Sequence, residues 1–375
     1  MVDVLYVLPN VPEPRNVNIV NLIKDEKKVQ VLYWQKNNGE IKNNLDNKVI
    51  VTPISVEAND YNPFARIIPT VKYFNKAYKT IKEVEPKCIH VSKLDSMYLV
   101  YKYWKRAERK PYVIYDISDM HRLTYNDSNN PLMKMIRAIL HQVEQKVSKC
   151  VDKIVVTSMA FWTEYYKEFY SEEQIVFVPN APDLSVFDGF KRKTDGKYAV
   201  GFIGSVRYYK QLKCLIDAAQ EADVNVLIAG GGIDEERLRQ YTASMDNVQM
   251  TGRFEYAKEA SHLYGMVDCV FAQYDTSIRN VALALPNRLY EAAYCGLPLI
   301  VSKGTYLEIL VKKYGLGISV KDLSKKNLVE ALRWLKKQAD ESFVLNGQKF
   351  SADNDYSVLS GELKKIYLDN LGDIV

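Results

Sequence analysis

Two kinds of hydrophobic pattern alternate along this chain. Short runs rich in Val and Ile (VDVLYVL at the start, then VQVLYW, KVIVTPI, KCIHVS, YVIYDIS, KIVVTS and IVFVPNA) read as strands. Between several of them, over 64–85, 95–109, 131–150 and 159–170, apolar residues recur at steps of three and four and predict helices. In the first of these the recurrence is carried by Ile67, Val71, Phe74, Tyr78 and Ile81, with Lys72, Lys76 and Lys79 opposite, so the apolar set should face a core. Strands that alternate with helices predict a parallel sheet covered on both faces.

The alternation lapses from Asn180 to Lys197, where prolines, glycines and charges predict an interdomain linker. It then resumes: YAVGFIGS, VNVLIAG, VQMTG, CVFAQY, PLIVS and GISV as strands, with helices between them and one near 325–339. A last helix is expected from Asp353 to Leu371, capped by Asp353 or Asp355. The fold class expected is α/β: two doubly wound, Rossmann-like domains, 1–182 and 183–353, facing across a cleft. In such sheets ligands sit beyond the carboxyl ends of the strands, so the strand-to-helix loops are where chemistry belongs.

Composition narrows the class. Among 375 residues, 47% are hydrophobic and 26% charged, which is ordinary for a folded protein. No run of ~18 apolar residues occurs, so no transmembrane helix is expected. Asp3 and the early prolines do not suit a leader peptide. The five cysteines are scattered without a CxxC pair, which excludes a disulfide framework or thiolate zinc site and suits a reducing, cytoplasmic compartment. Cys295 reads as packing, and the four histidines show no HExxH spacing, so no metal site is expected.

The net charge of +5 is uneven. Residues 66–110 hold twelve Lys and Arg against four Asp and Glu, interleaved with Tyr73, Tyr101, Tyr103, Trp104, Lys105 and Arg106. This stretch reads either as a solvated helix surface or as a face toward anionic lipid. No nucleic-acid-binding motif accompanies it.

Three loops of the second half carry candidate chemistry. In GFIGSVRYYKQLKCL a strand ends at Gly204, and Arg207 and Lys210 flank a helix start, a combination able to hold a diphosphate. It is no GxGxxG fingerprint, which disfavours an NAD enzyme. In IAGGGIDEERL the acids Asp234 and Glu235 would repel phosphate, so the three glycines read as a structural turn. In LPNRLYEAAYCGLPLIVS, Pro286 opens a helix and Gly296 ends it. Glu291 within it suits a ribose diol, or else is solvated helix surface.

PNRLYEAAYCGLPLI resembles the Pro-x-Lys/Arg-Leu-Tyr/Phe-Glu-x-x-Ala-x-Gly-x-Pro-Val-Ile signature of GT-B glycosyltransferases, especially family 4 and its relatives. CVDKIVVTSMAF, VFVPNAPDLSVF, VGFIGSVRYYKQLKCLIDA, VNVLIAGGG, VQMTGRFEY and GMVDCVFAQY resemble further landmarks of that family, in the family's order. The resemblance implies a nucleotide-sugar in the second domain, with Glu291 on the ribose and Lys210 on the diphosphate. Arg207 would stand in for an arginine that normally follows Gly204 directly, where this chain has Ser205. Arg253 and Phe254 would meet the base, and Tyr274 and Asn287 lie on flanking loops. Relatives with two glutamates carry an acid eight positions before Glu291; here that residue is Leu283.

On the acceptor side, YVIYDISDMHR has Ser118 where relatives often place histidine. Asp119 is then the expected general base, with Asp116 and His121 behind it. His90 and Asp95, in IHVSKLDS, resemble another cleft-lining segment. The resemblance implies no metal and no cofactor beyond the nucleotide-sugar co-substrate; the one DxD string, Asp353-Asn354-Asp355, precedes the last helix. It also implies that 354–375 packs back on the first domain. The activity implied is transfer of a sugar to a carbohydrate or lipid-linked glycan acceptor in polysaccharide or capsule biosynthesis, at the cytoplasmic membrane face, with peripheral contact through 66–110. A GT-B-shaped sugar-nucleotide epimerase and a silent nucleotide-sugar-binding subunit are the alternatives.

Overall fold

A computed structural model describes residues 2–36, 44–58, 65–120, 130–193, 196–338 and 340–371. The chain forms two compact units. One comprises residues 1–179 and 356–375, the other 180–355, so the divisions fall within three residues of those expected from the sequence.

The first unit is built on seven parallel strands: β1 (Val4–Leu8), β2 (Val29–Gln35), β3 (Ile50–Ser55), β4 (Cys88–Ser92), β5 (Tyr112–Ile117), β6 (Lys153–Val156) and β7 (Ile175–Phe177). Their order is β3-β2-β1-β4-β5-β6-β7. The central β1 and β4 are buried along their whole length, which is why they read as unbroken apolar runs. Pro53 is confined to the edge strand β3, where a missing N–H costs least. Right-handed crossovers put the helices Ile67–Val84, Leu94–Arg106 and Pro131–Val147 side by side on one face. The other face holds Ile19 and Val20 of the helix Pro14–Asn21, packed in one core with Leu363, Tyr367 and Leu371 of the last helix, Tyr356–Leu371.

The second unit has six parallel strands: β8 (Ala199–Ile203), β9 (Asn225–Ala229), β10 (Val248–Gly252), β11 (Cys269–Ala272), β12 (Leu299–Ser302) and β13 (Gly317–Val320). Their order is β10-β9-β8-β11-β12-β13. Its core joins Val200, Phe202, Leu212, Leu215, Ile228, Phe271 and Leu332.

Three sequence expectations are corrected. The helix 67–84 is rotated: Tyr73, Ala77 and Ile81 are its buried residues, whereas Ile67 and Val71 face outward. Tyr73 stacks on Trp34 at 4.7 Å and is interior, as is Tyr103, so neither belongs to a surface patch. The segment before the last helix is itself a helix, Asp340–Asp353, and the last helix begins only at Tyr356.

Candidate active site

Strand order reverses at β8, which has β9 on one side and β11 on the other. The crevice beyond the carboxyl ends of β8 and β11 is therefore the ligand position that the fold itself dictates in the second unit. The loops around it are zipped together by backbone bonds: Gly204 N–H to Ala229 O at 2.8 Å, Val206 N–H to Gly231 O at 3.0 Å, Gly230 N–H to Gly252 O at 2.7 Å. A Cβ on Gly230 would stand 1.9 Å from Gly204 O, and one on Gly232 2.0 Å from Val206 O. These glycines exist so that two loops can touch, in keeping with a structural turn.

Asp234 does more than open its own helix. Its carboxylate accepts from Tyr209 N–H at 3.0 Å, at the start of the helix Tyr209–Ala222. One of the N–H groups expected to face a diphosphate is thus already taken. Tyr208, just before, holds a left-handed φ of +81°, the kind of local strain that gathers at ligand loops.

The helix Asn287–Tyr294 brings the decisive side chains to the crevice. Glu291 is only 4% exposed, so the solvated-surface account of it fails. Tyr264 donates its hydroxyl to the Glu291 carboxylate. Burial nonetheless raises the Glu291 pKa above the ordinary range, with the Tyr264 hydrogen bond opposing it. Three residues earlier, Arg288 is 7% exposed. Its Nε donates to Ile203 O at the end of β8, and Nη1 donates to Tyr274 Oη at 2.9 Å. The guanidinium lies 3.7 Å from the Phe202 ring centroid. A Cβ on Gly204, whose φ is +132°, would sit 2.7 Å from Arg288 Nη2. Gly204 is therefore needed to let the guanidinium reach the crevice. Among the described residues no carboxylate forms an ion pair with Arg288, an unusual state for so buried a cation.

Arg288 was not among the residues singled out from sequence, although it fills the Lys/Arg position of the resembled signature. Of those that were, Gly204, Tyr274 and Glu291 converge on the crevice. Ser205, Arg207 and Lys210 are exposed on the loop and helix start beside it. Arg253 is exposed with its stem over Gly231, Phe254 is half-buried next to it, and Asn287 is exposed. Leu283, at the position of the missing acid, is buried.

In the first unit the corresponding crevice is lined by Asn10, Glu13, Arg15, Asn16, Ser92, Lys93, Asp116 and Ser118. Asp116 is 1% exposed and held from two sides by Arg15, Nη2 to Oδ1 at 2.9 Å and Nε to Oδ2 at 3.3 Å. Burial would raise its pKa, but the Arg15 charge, helped by His90, overrides this and pulls it down to about 2. So weak a base, with both oxygens engaged, is a poor proton acceptor, which corrects the expectation that Asp116 backs up the catalytic base. His90 is equally buried, its Nδ1 hydrogen-bonded to Tyr367 Oη at 2.6 Å, and Tyr367 bonds Tyr6 at 2.9 Å. It is an interior residue under the last helix and lines no surface. Asp95 is exposed in the first turn of the helix Leu94–Arg106 and accepts from Ser96 N–H at 2.8 Å. Asp119 is exposed just beyond β5. His121 lies outside the described residues.

Residues 187–349 match the family model for glycosyl transferases group 1. The chain's fold is the two-Rossmann GT-B fold: a sucrose-phosphate synthase from Thermosynechococcus elongatus superposes with a TM-score of 0.73 at 14% identity, covering 97% of this chain and 98% of that one. The Anabaena protein HepE, solved in complex with UDP, gives 0.72 at 14% identity, covering 97% and 99%. Among curated proteins, the chain is similar to D-rhamnosyltransferase WbpZ of Pseudomonas aeruginosa, 31% identical over 36% of this chain and 35% of that protein. It is also similar to O-antigen chain mannosyltransferase C of Escherichia coli, 27% identical over 44% and 45%. The chain thus spans less than half the length of the curated relatives it matches. Among the described residues no helix is long and apolar enough to cross a membrane.

Proposed function

We propose that this protein is a hexosyltransferase-type glycosyltransferase that moves a sugar from a nucleoside diphosphate to a carbohydrate or lipid-linked glycan acceptor in polysaccharide assembly. The observation that carries the reading is the pairing of Glu291 and Arg288. One turn of one helix delivers a buried carboxylate and a buried cation, which forms no ion pair among the described residues, to the crevice that the sheet order marks. Glu291 accepts the two ribose hydroxyls, and Arg288 meets the diphosphate, with Arg207 and Lys210 closing over it from the exposed loop.

In this reading the reaction is driven by stabilising the leaving group. Negative charge accumulates on the departing diphosphate, and a guanidinium already fixed by Ile203 and Tyr274 stabilises it without reorganising. Asp119, exposed beyond β5, takes the acceptor proton. The names of the curated relatives support a transferase of sugars, and the UDP complex of HepE supports a nucleoside diphosphate donor. Placement at the cytoplasmic membrane face, with peripheral contact through 66–110, completes the proposal.

Thermal-shift measurement against a panel of nucleoside diphosphates tests the donor reading. A ligand at a hundred times its Kd stabilises the native state by about 2.7 kcal/mol. At least one diphosphate should raise the melting temperature, and Glu291→Ala should abolish the shift. If none does at millimolar concentration, the reading is wrong. A silent binding subunit is favoured by one observation, the locking of Asp116 by Arg15; transfer activity lost in Asp119→Asn with donor binding intact would dismiss it.

A further inference from the structure

The loop after β4 has a backbone that its residue type does not explain. Lys93, directly before the helix Leu94–Arg106, holds φ +67° and ψ +150°. A Cβ clashes with the backbone in that region, which belongs almost wholly to glycine. Capping does not account for the lysine, since its side chain makes no cap hydrogen bond. Glycine would begin the same helix without the strain. A residue held against its own preference at the carboxyl end of a central strand is kept for its side chain.

That side chain is in the wall of the first unit's crevice, half-buried, and forms no ion pair among the described residues. The nearby acids are engaged elsewhere. Asp116 is neutralised by Arg15; Glu13 is exposed at the rim and forms a capping box with Asn16; Asp95 is exposed and accepts from Ser96 N–H. Ser92 lines the same wall at 7% exposure, and its hydroxyl has no hydrogen-bond partner among the described residues. A buried hydroxyl in that state costs free energy that a ligand can offset. The adjoining helix start lacks a side-chain cap, which leaves the N–H groups of Leu94 and Asp95 open. Lys36, just past β2, donates from Nζ to Asn10 Oδ1 at 2.7 Å and brings a second ammonium to this crevice. An ammonium, a buried hydroxyl and open backbone N–H groups in one concavity are donors that an oxyanion satisfies together.

We propose that Lys93 and Ser92 hold an anionic group of the glycan acceptor, a phosphate or a carboxylate, and that the strained lysine selects charged acceptors over neutral ones. The inference deepens the proposed function by naming the acceptor's chemical class, and rests on that reading only for calling the ligand an acceptor. The anion site itself stands on residues of the first unit alone and is independent of the donor crevice.

Acetylation of Lys93 by an amine-reactive reagent, followed by mass spectrometry on the full chain, tests the proposal with three soluble probes: mannose 6-phosphate, glucuronate and methyl mannoside. At least one charged probe should slow labelling of Lys93 severalfold, and methyl mannoside should not. Protection by mannose 6-phosphate alone identifies a phosphate, and by glucuronate alone a carboxylate. Calorimetry should find a binding event with the same midpoint as the protection. Lys93→Met should weaken that event about tenfold or more, the range of a hydrogen bond to a charged group, and Ser92→Ala severalfold. Lys93→Gly should weaken it as much as Lys93→Met does, yet melt at or above the wild-type temperature because the strain is relieved. A lysine kept for structure would instead melt lower as glycine and leave the probe bound. A failed donor reading would show as no thermal shift with nucleoside diphosphates and leave the Lys93 results untouched. The inference is overturned if neither charged probe protects Lys93 at millimolar concentration, if methyl mannoside protects it equally, or if Lys93→Gly lowers the melting temperature.

Discussion

Replacing Arg15 by Met is the sharpest test of the electrostatics in the first unit. Asp116 is almost wholly buried, and the Arg15 charge, together with His90 at 3.7 Å, holds its carboxyl near 2 against an ordinary 3.8. At about 1.4 kcal/mol per pKa unit, that shift corresponds to roughly 2 kcal/mol of stability at neutral pH. Removing the cation also strands a buried carboxylate, for which the cost is about 3–5 kcal/mol. It frees the carbonyls of Val178 and Pro179 as well, which Arg15 Nη1 now bonds at 3.0 and 3.1 Å. Trp34, Trp104 and Trp162 all lie in this unit, so tryptophan fluorescence during urea unfolding reports mainly on it. Because the carboxyl is depressed in the folded state, its contribution is complete above about pH 5 and fades as pH falls toward about 2. Arg15→Met should therefore lose several kcal/mol at pH 7 and much less near pH 3. The double variant Arg15→Met/Asp116→Asn should recover much of the loss and lack this acid component. A single-variant cost under about 1 kcal/mol, or an unchanged pH profile in the double variant, would refute the reasoning.

Further expectations follow from the second unit. Arg288→Met should weaken a nucleoside diphosphate by tenfold or more, since a hydrogen bond to a charged group contributes about 1.5–3 kcal/mol, while leaving the bare nucleoside unaffected; calorimetric titration of both ligands checks this. Tyr264→Phe removes the hydroxyl that opposes the upward shift of Glu291, so the Glu291 carboxyl should rise further and diphosphate binding should fall away at a higher pH than in wild type. Gly230→Ala must push the loops after β8 and β9 apart, as its Cβ would fall 1.9 Å from Gly204 O, and should lower the melting temperature together with donor binding. Asp116→Asn should leave the pH dependence of transfer unchanged near neutrality, because a carboxyl near 2 does not titrate there.

The architecture was legible because fully buried parallel strands cannot alternate. Runs such as VLYVL and AVGFI have no solvent face to declare, and the helices between them keep their own period. The loops could be ordered for the same reason. Legibility ended where partners come from far along the chain. Asp116 looks like an exposed acid at a strand end until Arg15, 101 residues earlier, is seen to grip it. His90 is hidden by Tyr367, 277 residues later. The helix Asp340–Asp353 has little amphipathic period of its own; it is fixed by close approach, with Gly347 against Ala293 O at 2.1 Å from a would-be Cβ, and by Phe343 and Phe350. On the helix Ile67–Val84 two apolar stripes compete, and the stacking of Tyr73 on Trp34, with its hydroxyl donating to Leu8 O, marks the one that is inside.

The last helix has a consequence for how the molecule is made. Tyr367 and Leu363 complete a core begun by Val4 and Tyr6, although 176 residues of another unit intervene. A ribosome therefore releases the second unit whole while the first still lacks a wall. Synthesis reaches the inserted unit first, and the amino-terminal sheet stays open on one side until the helix Tyr356–Leu371 emerges to cover it.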